Sequence, residues 1–162
     1  MRDFVRMALS VIAAFLLYSL LSKISVSLLF LFNFYSLIVI YFALEKGEIY
    51  GACLGAICGL LQDSFSLSVF GVAGIAKTIT GYSAGYFSGK INVTPIRRNF
   101  LFIFMLLCLE LLIWALLYSF IFSENLSTGG GLLFFQPLAT AAIGSLIYRF
   151  IRKLKSSRAY NE

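Results

Sequence analysis

The chain has 162 residues, 60% of them apolar and 12% charged, with a mean hydropathy of +0.94; this balance excludes a water-soluble globule of ordinary composition and points to a membrane protein. Histidine is absent and the three cysteines, Cys53, Cys58 and Cys108, are scattered, which removes the commonest metal ligand and proton shuttle and leaves no disulfide framework. The net charge of +6, from 13 Lys+Arg against 7 Asp+Glu, reads in so apolar a chain as a topology signal rather than as affinity for nucleic acid.

A spanning helix needs about 20 mainly apolar residues, and the charge-free runs predict six. The first covers residues 5–21 behind Arg2 and Arg6; no small-x-small cleavage site follows, so it is expected to remain as an uncleaved helix. From Ile24 to Leu44 there is no charge, and the run closes at Glu45-Lys46-Gly47, which places the second helix at residues 28–44. Asp63 and Lys77 interrupt the glycine-rich stretch that follows, and its length exceeds what one helix needs to cross about 30 Å of hydrocarbon. Helices at residues 48–64 and 70–88, with a turn around Ser64–Ser68, are therefore expected. Pro95, Arg97 and Arg98 mark a loop. The fifth helix, at residues 99–122, contains one acid, Glu110. After the polar loop 123–131, the sixth occupies residues 134–151, with Pro137 in its first turn. The whole chain reads as a single all-α, six-helix transmembrane unit.

Lysine and arginine are retained in the cytoplasm during insertion. With both termini inside, the inner set is Arg2, Arg6, Lys46, Lys90, Arg97, Arg98, Arg149, Arg152, Lys153, Lys155 and Arg158, leaving only Lys23 outside and Lys77 within a span. This distribution predicts both ends in the cytoplasm by a criterion independent of hydropathy. The five basic residues from Arg149 to Arg158 form a topology anchor that also attracts anionic lipid headgroups.

Gly47, Gly51, Gly55 and Gly59 recur every four residues along the third helix, and Gly81, Gly85 and Gly89 repeat the spacing on the fourth, preceded by Gly71 and Gly74. Such stripes let another backbone approach closely, which is what drives helix association in lipid. Two occupants fit: the two helices pack on each other or on the rest of the bundle, or the stripe of Gly51, Gly55 and Gly59 receives a helix from another protein.

Asp63, Lys77 and Glu110 are ionisable groups within predicted spans, where such groups face the protein interior and find partners. Helical rise puts them about 24, 21 and 16 Å above the inner boundary, within a lysine's reach of one another. They are expected as a buried ion pair or triad, with transport or catalysis as the functional alternative. Asp63 also suits a simple surface acid or a cap-like acceptor for the turn after it. An aspartyl dyad of Asp63 with Glu110 has poor geometry, and pairing Ser66 with Lys77 as nucleophile and base is a weak signal among many serines. No catalytic residue, metal or cofactor is expected.

The stretch Gly55-Ala-Ile-Cys-Gly59-Leu-Leu-Gln-Asp63-Ser-Phe-Ser66-Leu-Ser-Val-Phe-Gly71, followed by Gly81-Tyr82, resembles the rod shape-determining MreD family. The length, the six spans, Tyr41-Phe-Ala-Leu at the end of the second helix and the basic tail are similar to that family too. The resemblance implies a non-enzymatic component of the bacterial inner membrane that binds the single-span protein MreC and works in the elongasome with MreB, RodA and a class B penicillin-binding protein. It also implies a fold similar to the substrate-binding S component of energy-coupling-factor transporters, which makes a small-molecule transporter subunit the alternative function. Gly55, Gly59, Asp63, Ser66 and Gly71 carry over as motif positions that set structure, with Gly81 and Gly85 beside them.

Overall fold

The computed structural model describes residues 2–24, 32–66, 70–91, 95–121 and 132–159, with side chains 2–4, 24, 66, 132–134 and 151–159 outside that description. The described residues form six helices and no strand: α1 (Arg2–Ile24), α2 (Phe34–Lys46), α3 (Glu48–Ser66), α4 (Val72–Ser88), α5 (Ile96–Ile121) and α6 (Leu132–Ala159). Two of them, over Val5–Lys23 and Ile96–Ile121, are long and apolar enough by themselves to cross a membrane.

The second helix begins at Phe34 because Asn33 caps it: its side chain accepts the Ser36 N–H at 3.3 Å, satisfying a donor that the first turn leaves orphaned. The expected start at Leu28 lies outside the described residues. With 13 residues α2 is about 20 Å long, short of a full crossing. Arg97 and Arg98 belong to the first turn of α5 rather than to a loop, since Pro95 ends the preceding segment and its carbonyl accepts the Asn99 N–H at 2.9 Å. The sixth helix starts at Leu132 and extends to Ala159, beyond the expected residue 151, which moves Pro137 into its second turn.

The tightest packing joins α3 to α4, antiparallel and backbone to backbone. A Cβ on Gly51 would meet the carbonyl of Gly81, on Gly55 that of Lys77, and on Gly59 the backbone of Ala73 and Gly74; Gly85 in turn abuts Gly47 and Glu48. The two glycine stripes therefore face each other. The expectation that Gly51, Gly55 and Gly59 present a face to a partner protein is corrected on this point: α4 of the same chain fills that face, and no second backbone can reach it.

Helix α2 is the central element. One of its faces packs Tyr35, Val39 and Phe42 with Met7 and Ala14 of α1 and Leu54 and Cys58 of α3. The other packs Ile40 and Ala43 with Ala84 of α4, Ile103, Leu106 and Leu107 of α5, and Ala141 of α6. The outer surface is apolar as well, with Leu9, Leu16, Leu101, Met105, Leu112 and Leu116 exposed, as a surface in contact with lipid requires.

Candidate functional site

Four helices converge on a buried polar cluster. Lys77, 1% exposed on α4, lies against Glu110 of α5, 7% exposed, and its ammonium forms an ion pair with Glu110 Oε1. Nζ also donates to Ser36 Oγ at 2.5 Å and to Asn33 Oδ1 at 3.2 Å, so the three donors of the ammonium have three acceptors. Glu110 Oε1 accepts further from Ser36 Oγ at 2.7 Å and from Asn33 Nδ2 at 3.2 Å. Thr140 of α6 completes the group by accepting the Asn33 N–H at 3.2 Å.

This cluster sits at the N-terminus of α2, and its electrostatics follow from that position. Orphan N–H groups and the positive end of the helix favour a nearby anion, and Glu110 supplies one. Protein groups satisfy this helix end: Asn33 Oδ1 accepts the Ser36 N–H and Thr140 Oγ1 accepts the Asn33 N–H. Sequence reasoning pairs Lys77 with a carboxylate but misses Asn33, Ser36 and Thr140. Asn33 and Ser36 were visible as two polar residues inside a charge-free run, three apart, the spacing of neighbours on one helix face.

Asp63 does not join the cluster; this corrects the expected triad. Its carboxylate, 3% exposed at the far end of α3, accepts the N–H groups of Gly71 at 2.9 Å, Ala73 at 3.1 Å and Gly74 at 3.2 Å. These are the first amides of α4, whose own N-cap residue, Gly71, has no side chain to cap them. The acceptor role anticipated for Asp63 is thus real, but it serves α4. Gly71 has φ of +101°, in the region that favours glycine, and this turn aims the amides of Gly71, Ala73 and Gly74 at the carboxylate. Ser66 ends α3 with its side chain outside the described ones, and its expected pairing with Lys77 lies there too.

The chemistry open to these groups is narrow. Lys77 and Glu110 neutralise each other through Glu110 Oε1, while Glu110 Oε2 is buried without a hydrogen-bond partner, and Asp63 is committed to backbone amides. The glycines of the motif set helix separation: Gly55 lets α3 close on the Lys77 carbonyl itself, fixing the height at which that ammonium meets Glu110. No group of three His, Cys, Asp or Glu side chains that could hold a metal occurs among the described residues.

A family model described as rod shape-determining protein MreD matches residues 2–156 of the chain. No curated protein and no solved structure matches.

Proposed function

The chain belongs to the MreD family and has a role in determining rod shape, and from that premise we propose that it is a non-enzymatic, multi-pass scaffold of the bacterial inner membrane that binds MreC within the elongasome. Its six helices lie in the bilayer with both termini in the cytoplasm, and its assembly with MreC brings it into the company of MreB, RodA and a class B penicillin-binding protein. The basic tail after Arg149 rests on anionic headgroups.

The observation that carries this reading is the match of the family model over nearly the whole chain. Two structural features support it. The buried charges are used to hold helices together, as a scaffold requires, and the outer surface is apolar. At the end of α4, Lys90 stands 3.8 Å from the ring centroid of Tyr86 and donates to its hydroxyl at 2.5 Å, the pairing of aromatic and cation that suits a membrane interface. A vitamin-binding subunit needs converging polar groups in an open pocket, whereas the recess between α2, α5 and α6 is lined by apolar side chains and two tyrosines.

Because α4 covers the glycine stripe of α3, MreC docks on the lipid-facing surface. Affinity purification of the tagged full chain from membranes of a rod-shaped bacterium in which it replaces the resident MreD tests the reading. Recovery of MreC from cells restored to rods is expected. A chain that restores rods yet brings down no MreC contradicts it.

A further inference from the structure

The exposed apolar faces of the bundle differ in height. On α5 exposed side chains run from Leu101 through Met105, Leu112 and Leu116 to Phe120, about 28 Å along the axis and close to the roughly 30 Å of a bilayer's hydrocarbon core. On α3 they run from Ile49 through Ile57 and Leu60 to Phe65, about 24 Å. Helix α4 does not extend that face. Gly85 abuts Glu48 and Gly59 abuts Gly74, so the two helices begin and end level with each other, and Asp63 caps the first amides of α4 beside the turn. At the opposite end Lys90 folds back over the Tyr86 ring, a cation and an aromatic that together mark an interface. From Tyr86 to Val72, the first residue of α4, is about 21 Å.

The two heights belong to different sides of the bundle, because α3 packs on one face of α2 and α5 on the other. Tilting a helix lowers the height it spans, so tilt widens the shortfall of α3 and α4 instead of closing it. An apolar face shorter than the hydrocarbon core draws the lipid surface inward or sets acyl chains against polar helix ends. We propose that the face formed by α3 and α4 thins the bilayer beside it by about 6 Å, the difference between its height and that of the hydrocarbon core, and gathers phospholipids with short acyl chains, while the α5 side meets lipid of ordinary thickness. The proposal rests on the membrane reading above and goes beyond it. Membrane segments of equally short span relieve the same deformation, so this face sorts the scaffold's neighbours by length.

Quenching of a single tryptophan by brominated lipid tests the proposal. Trp114 is the chain's one tryptophan, and Trp114→Phe provides the background for a reporter at Ile57→Trp on α3 or Leu112→Trp on α5, positions 53% and 56% exposed near the middle of their stripes. The full chain is reconstituted in mixtures of dimyristoleoyl and dioleoyl phosphatidylcholine, the latter brominated, and the quenching gives the relative affinity of the short and long lipid at each site. About threefold or greater preference for the short lipid is expected at Ile57→Trp, and none at Leu112→Trp. Ile79→Trp, exposed on α4, serves if the α3 reporter fails to accumulate. The same chain-length preference at both sites overturns the proposal, as does preference for the long lipid on α3. A reporter on α3 that brominated lipid never quenches, beside one on α5 that it does, would mean that a second copy or another protein covers the face; this too overturns the lipid proposal and leaves the scaffold intact. Quenching at neither site would overturn the membrane reading itself.

Discussion

Lys77 and Asp63 show how differently two buried charges can be used. Breaking a buried pair by removing one partner costs about 3–5 kcal/mol because the other charge is stranded, so Lys77→Met is expected to destabilise strongly. Adding Glu110→Gln should recover much of that loss, because glutamine still accepts from Ser36 and Asn33 while carrying no charge. Asp63→Ala should cost about 2 kcal/mol, the upper part of the range for losing a helix cap, and Asp63→Asn less. Since Asp63 and Lys77 share no partner, their losses should add, whereas those of Lys77 and Glu110 should not; melting in detergent of the single and double variants measures both. The need for an anionic partner of Lys77 was legible in the sequence, because an ammonium at that depth requires one. Which carboxylate it takes was not. Heights from helical rise place three charges in one layer, but only the azimuth around the bundle separates Asp63, turned toward the start of α4, from Glu110, turned toward α2.

At the scale of elements, the glycine spacing was legible and its occupant was not. Spacing of four residues announces a close approach, but a stripe does not say whether the approaching backbone is its own chain's. Here the two stripes meet, and the consequence is specific. Gly55→Ala puts a Cβ onto the Lys77 carbonyl, and Gly55→Leu a larger group, so both should deplete the protein from the membrane, at a cost of about 1–3 kcal/mol or more for such overpacking. Gly74 lies on the same interface, yet a Cβ there would stand 3.4 Å from the end of Leu60, in ordinary contact; Gly74→Ala should accumulate normally. Immunoblotting of membrane fractions distinguishes the two, and equal abundance of both alanine variants would contradict the interface described. The start of α2 at Phe34 was not legible for a related reason: a charge-free run carries no hydropathy break at Asn33, and what sets the start there is a side-chain cap. Arg97 and Arg98 in the first turn of α5 oppose its dipole, so helix stability does not account for their place.

For the molecule as a whole, the proposed topology puts eleven of the 13 basic residues on one side, and impermeant maleimide labelling of intact cells should modify Ser127→Cys and spare Thr94→Cys in a background without Cys53, Cys58 and Cys108. The reverse pattern would invert the molecule. Orientation bears on where partners bind, but the central claim concerns what the buried charges are for. A scaffold needs them only to pack, whereas a transporter or enzyme needs their chemistry. The most direct test replaces the resident MreD of a rod-shaped bacterium with the Lys77→Met, Glu110→Gln double variant and measures membrane abundance, MreC recovery and cell shape together. The account predicts that cells in which the double variant accumulates keep MreC and grow as rods. Spherical cells containing the variant at normal abundance with MreC still bound would contradict it, because the buried pair would then be doing more than holding helices in place.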